Sequence, residues 1–109
     1  MKLEIKDKEY VLKLTTKAIV ETEERLGCNI IDIFAEVDSG HLPKLKDLLI
    51  IFHEAMRYTH GIKFDDVFDI YSDYIEEGHT YPDFVVMLLN VMRDSGLLPK
   101  ESEEEDSKN

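Results

Sequence analysis

Between positions 43 and 59 the chain places Leu45, Leu48, Leu49, Phe52 and Met56 at three- and four-residue spacing, and Ile50 and Ile51 add a second apolar face. A helix that is apolar nearly all round needs neighbours on every side. The span 43–59 is therefore expected as the central helix, with Pro43 in its first turn and Gly61 just past its end. The rest of the chain has to be arranged around it. Its 109 residues make one domain, which can bury roughly two thirds of the surface the unfolded chain exposes.

The N-terminal segment reads as a hairpin. Leu3 and Ile5 alternate with charged residues, Lys6-Asp7-Lys8 supplies a polar turn whose type is left undecided by the lack of a glycine, and Tyr10, Leu12 and Leu14 return. From Thr16 the period becomes helical, with Ile19 and Leu26 on one face. Thr15 or Thr16 suits the cap of this helix, and Gly27 suits its end. Asn29 is expected to cap a second short helix with Ile30, Phe34 and Val37 on one stripe, closed by Asp38-Ser39-Gly40. A fourth helix is expected at about 65–77, with Val67 or Phe68, Tyr71, and Tyr74 or Ile75 on one side. A fifth opens on Thr80 and Asp83, a variant of the capping box with Pro82 in the first turn. It carries Phe84, Val85, Leu88, Leu89 and Met92 and stops at Gly96. The fold class expected is mainly α (α+β): an N-terminal β-hairpin followed by about five short helices in a compact bundle. Residues 1–99 are expected to form one globular domain. Residues 100–109 have nothing apolar to bury and are expected to be a disordered acidic tail, dispensable for folding.

Charge excludes several classes of function. The net charge is −11, and residues 64–99 carry one basic group, Arg93, against eight acidic ones. Such a balance argues against nucleic acid as a direct partner, because phosphates need a basic face. It draws basic partners, or else simply keeps the chain in solution. No apolar run approaches the length of a membrane span, and the opening MKLEIKDKEY lacks the apolar stretch of a signal peptide, so a cytoplasmic location is expected. The single Cys28 reads as a small apolar residue.

Chemistry-bearing patterns are sparse. His53-Glu54 begins like the zinc-protease helix motif, but Arg57 stands where the second histidine belongs. His53 and His60 lie seven apart, with Asp65 and Asp66 soon after, a spacing that matches no known metal-site type. The plainer reading is two surface histidines and an acid-started helix. With no phosphate loop, no paired cysteines and no nucleophile elbow, an enzyme is not expected, nor a metal or other cofactor.

The order of hairpin, Glu-rich helix, glycine and Asn-capped helix resembles the small tail assembly chaperones of long-tailed bacteriophages. The strand match is Lys8, Glu9, Tyr10, Leu12, Lys13 and Leu14. The following segment matches at Thr15, Lys17, Ala18, Ile19, Glu21, Glu23, Glu24, Leu26, Gly27, Asn29 and Ile30. More loosely, the likeness runs on through LLIIFHEAMRY to RDSGLLPK, so it covers most of residues 3–100. The resemblance implies a binding protein of the host cytoplasm, absent from the mature virion. Such a protein keeps the tape measure protein, a very long helical chain, soluble until tail tube subunits polymerise around it. It also implies that a longer frameshifted product recruits the tail tube protein. A reading from another class stays open beside it: an acidic mimic of nucleic acid, of phage or plasmid origin, that blocks a host enzyme.

The surface expected to meet a partner combines apolar groups left over from the core with acids on the later helices. Its candidates are Ile50, Ile51, Tyr58, Asp69, Tyr71, Asp73, Tyr74, Glu76 and Glu77. Such a set suits a helix-binding groove. It also suits a homo-oligomer interface, as does the free edge of the hairpin.

Overall fold

The computed structural model describes residues 1–99, so the tail expected at 100–109 lies outside the described residues. Strands β1 (Lys2–Ile5) and β2 (Lys8–Val11) pair antiparallel, with Leu3 opposite Tyr10 and Ile5 opposite Lys8. Helices α1 (Thr16–Leu26), α2 (Leu45–His60), α3 (Phe64–Glu76) and α4 (Tyr81–Asp94) follow. Two 3-10 turns, Asp32–Phe34 and Val37–Ser39, lie between α1 and α2. The architecture is the hairpin followed by helices that the apolar spacing implies.

Helix α2 runs through the middle. Every residue from Leu48 to Met56 is buried, because α1, α3, α4 and β2 all pack on it. Phe52 meets Phe84 of α4 edge to face at 5.1 Å between ring centroids, a favoured aromatic geometry. The hairpin closes one side. Ile5, Leu12 and Leu14 are buried, and the Lys13 N–H donates to the Ala55 carbonyl at 2.9 Å.

Local chemistry sets the ends of the elements. Thr15 caps α1, accepting from the Ala18 N–H at 3.1 Å, and Gly27 takes the left-handed conformation just past it. Pro43 stands before the first turn of α2, not within it. Its carbonyl accepts the Tyr81 hydroxyl and ties the entry of α2 to the start of α4. Thr80 and Asp83 complete both halves of the capping box on α4, at 3.2 and 2.8 Å. Thr80→Ala is expected to cost about 1 kcal/mol in urea unfolding, since it frees the Asp83 N–H.

The segment after Gly27 forms 3-10 turns in place of the short α-helix. Asn29 accepts from the Ile31 N–H at 2.9 Å, and Ile30 and Phe34 are buried as the stripe required. Gly40 ends the segment in the left-handed conformation. Its turns close three-residue bonds, such as Phe34 N–H to Ile31 carbonyl at 3.0 Å.

The hairpin turn is the two-residue type with positive φ at both centres, 48° at Lys6 and 67° at Asp7. Asn-Gly is the usual pair for such a turn. A lysine in this conformation costs about 1–2 kcal/mol, so something else must hold it. The Lys6 N–H donates to Glu77 at 3.0 Å, and its ammonium reaches Glu76 at 2.6 Å and Asp73 at 3.5 Å. The turn is thus fastened to the C-terminal end of α3. Among the described residues no helix is long and apolar enough to cross a membrane.

Candidate binding surface

Where α1, α2 and α3 meet, the core is polar. Glu54 is fully buried, and its Oε2 accepts from Arg25 at 2.8 Å and Arg57 at 3.2 Å. Its Oε1 has no hydrogen-bond partner among the described residues. His53 is 6% exposed, which overturns the reading of it as a surface histidine. Its Nδ1 accepts from Arg25 and its Nε2 donates to the Ile62 carbonyl, both at 2.8 Å, so the ring is neutral here. Phe64, the first residue of α3, covers this cluster, with the Arg25 guanidinium 5.0 Å from its ring centre and His53 edge-on at 5.6 Å.

Burial holds the His53 pKa below the usual imidazole value; the bond to Ile62 raises it and the Arg25 charge lowers it further. The unfolded chain therefore takes up more protons than the folded one just below the ordinary value of 6.5. The stability this contributes is complete above that pH and is lost as the pH falls through the folded-state value. Urea unfolding stepped downward from neutral pH should show falling stability in the wild type and a flatter profile in His53→Gln.

His60 is committed elsewhere. Its Nε2 accepts from the Val11 N–H at 2.8 Å, holding β2 against the end of α2. Among the described residues no group of three or more His, Cys, Asp or Glu side chains is gathered as a metal site would require. Between β2, the end of α2 and α3 lies a cleft of about 410 Å³, lined by Lys8, Tyr10, His60, Ile62 and, from α3, Asp66, Asp69, Ile70 and Asp73.

The residues expected to meet a partner divide by position. Ile51 is fully buried and Ile50 is 5% exposed, because α2 is surrounded and has no leftover face. Tyr74 is buried as well, stacked on His79 at 4.2 Å. Burial, reinforced by Asp83 and then Tyr71, pushes its phenol up to about 12. Tyr71 is half-buried against Phe84, 4.8 Å away. Asp73, Glu76 and Glu77 are turned to Lys6, so they hold the hairpin of their own chain and are not free to meet another. The Lys6 ammonium is raised above its ordinary value, mainly by its bond to Glu76. Tyr58 remains exposed at the end of α2, with Arg57 over its ring at 4.7 Å. Asp69 is exposed on α3.

Helix α3 presents a face that takes in Asp69, Tyr71 and Glu76 from those candidates together with Phe64, Phe68 and Ile75, which were not among them. Its buried face is Val67, Ile70 and Tyr74. A second apolar row, Phe64, Phe68, Tyr71 and Ile75, follows at steps of four, three and four, and Phe68 is 49% exposed and Ile75 37%. Both rows satisfy helical spacing, so periodicity could not decide which one the core would take. Beside the exposed row run Asp65, Asp69, Ser72 and Glu76, also one helical stripe. From Phe64 to Glu76 there are five acidic residues and no basic one.

The fold and this surface together define a small hairpin-and-helix module with one helix whose outer side is half apolar and half acidic. The chain belongs to DUF6096, a family of unknown function, which it matches over residues 1–109. No curated protein and no solved structure matches it.

Proposed function

We propose that this protein is a tail assembly chaperone of a long-tailed bacteriophage, which binds the tape measure protein and keeps it soluble until the tail tube forms. The observation that carries the reading is the outer side of α3, where Phe68 and Ile75 stay exposed beside a run of carboxylates. A chain that leaves large apolar groups in water next to charge is suited to binding a partner. The resembling segment supports the reading as well, because its residues form one continuous unit. Thr15 caps α1, Gly27 ends it, Glu23 accepts from the Ile30 N–H at 3.2 Å, and Ile30 is buried. An acidic mimic of nucleic acid draws less support. Asp66 and Asp83 close helix caps, and three further acids hold Lys6.

The proposal expects a tape measure gene beside the gene for this chain, and co-expression of the two proteins tests it. The chaperone should keep that protein soluble and co-purify with it. A tape measure protein equally insoluble with and without this chain would refute the reading.

A further inference from the structure

We infer that the docking site is the outer side of α3, and that its occupant is an amphipathic helix whose apolar stripe is bordered by lysine or arginine. The inference rests on the chaperone reading and gives its site and the chemistry of its partner.

The row Phe64, Phe68, Tyr71 and Ile75 runs the length of α3, the repeat an incoming helix needs to lay its own apolar stripe alongside. Phe64 and Tyr71 are anchored, the first by Arg25 and His53 and the second by Phe84. Phe68 rests edge-on against Phe64 at 5.4 Å and leaves half its surface in solvent. The row is therefore a preformed ridge on a rigid helix, which limits the ordering cost of binding.

Charge selects among occupants. A second copy docked through the same face by two-fold symmetry sets one acid-rich helix against another. Nucleic acid and anionic lipid are repelled by the same carboxylates. Asp65 and Asp69 stand along one side of Phe68, and neither has a hydrogen-bond or ion-pair partner among the described residues. They face a helix that brings its own cations. Such pairs at the rim mainly speed association and select the partner, while the apolar row supplies most of the affinity.

The probe is a synthetic helix of about 18 residues, with leucine at helical spacing and lysine on both flanks; a second peptide carries glutamate in place of each lysine. Binding is followed by calorimetry and by amide shifts in the wild-type chain. The lysine peptide should bind, shift the amides of 64–76, and weaken with added salt. The glutamate peptide should not bind. Phe68→Ala should weaken binding roughly tenfold, and Asp69→Lys should slow association. Val86→Ala should leave binding unchanged, since Val86 is exposed on α4 two residues from buried Phe84 and so on the opposite side of that helix. The inference is overturned if the lysine peptide does not bind, if it binds Phe68→Ala as it binds the wild type, or if both peptides bind alike. Sedimentation showing a dimer that Phe68→Ala disperses would also overturn it, in favour of self-association. Tape measure protein kept soluble by the wild type and by Phe68→Ala alike would move the site elsewhere and leave the chaperone reading standing. That reading falls only if the wild type fails.

Discussion

Glu54→Ala is expected to lower the unfolding free energy by about 3 kcal/mol, the lower end of the range for breaking a buried ion pair. The substitution removes the one carboxylate that Arg25 and Arg57 share, and leaves two guanidiniums partly out of water with no anion. The lower end applies because Arg25 and Arg57 keep 27% and 35% of their side-chain exposure and recover some hydration. Against a typical total of about 5–15 kcal/mol, the loss is large. Urea unfolding at neutral pH measures it. Arg57→Ala should cost less, since Arg25 still neutralises Glu54, and Glu36→Ala, on an exposed side chain, should change almost nothing. A loss below about 1 kcal/mol for Glu54→Ala, the level of an exposed pair, would show that the cluster does not behave as buried.

Phe52→Ala is expected to cost about 3–5 kcal/mol and to lower the melting temperature by many degrees. Phe52 is fully buried on the central helix, and its removal also ends the edge-to-face contact with Phe84. The cavity would open where α2 and α4 pack, and a surrounded helix has little freedom to collapse into it. Phe68→Ala, half-exposed on α3 and edge-on against Phe64, supplies the comparison and should cost only about 1 kcal/mol. Equal melting of the two variants would contradict the placement of Phe52 in the core.

Much of the fold was readable along the chain, for reasons that are local. The cap at Thr15, the capping box at Thr80 and Asp83, and the stop at Gly27 each depend on bonds within a few residues. The central position of α2 followed from apolar residues on all its sides, which only a surrounded helix tolerates. The binding surface was less readable. Of the tyrosines and acids expected there, Tyr71 and Asp69 lie on the outer face of α3, but Tyr74 went into the core and Asp73, Glu76 and Glu77 went to Lys6. Phe68 and Ile75 stayed outside.

The sequence by itself therefore determined the ends of α1 and the start of α4 and which helix lies in the middle, because hydrogen-bonding caps and apolar periodicity act over one or two turns; it did not determine the form of the segment after Gly27. Tertiary structure alone decided three things. It chose between the two apolar rows of α3, both of which fit the helical repeat, by which one the hairpin, α2 and α4 left uncovered. It placed a glutamate and a histidine in the interior, where polarity along the chain argues for the surface, because Arg25 of α1 arrives to pair with both. It also gave the lysine of a hairpin turn its strained conformation, because carboxylates some seventy residues further on are there to hold it. Each of these rests on a partner distant in sequence, and no local pattern encodes a partner that only the folded chain brings near.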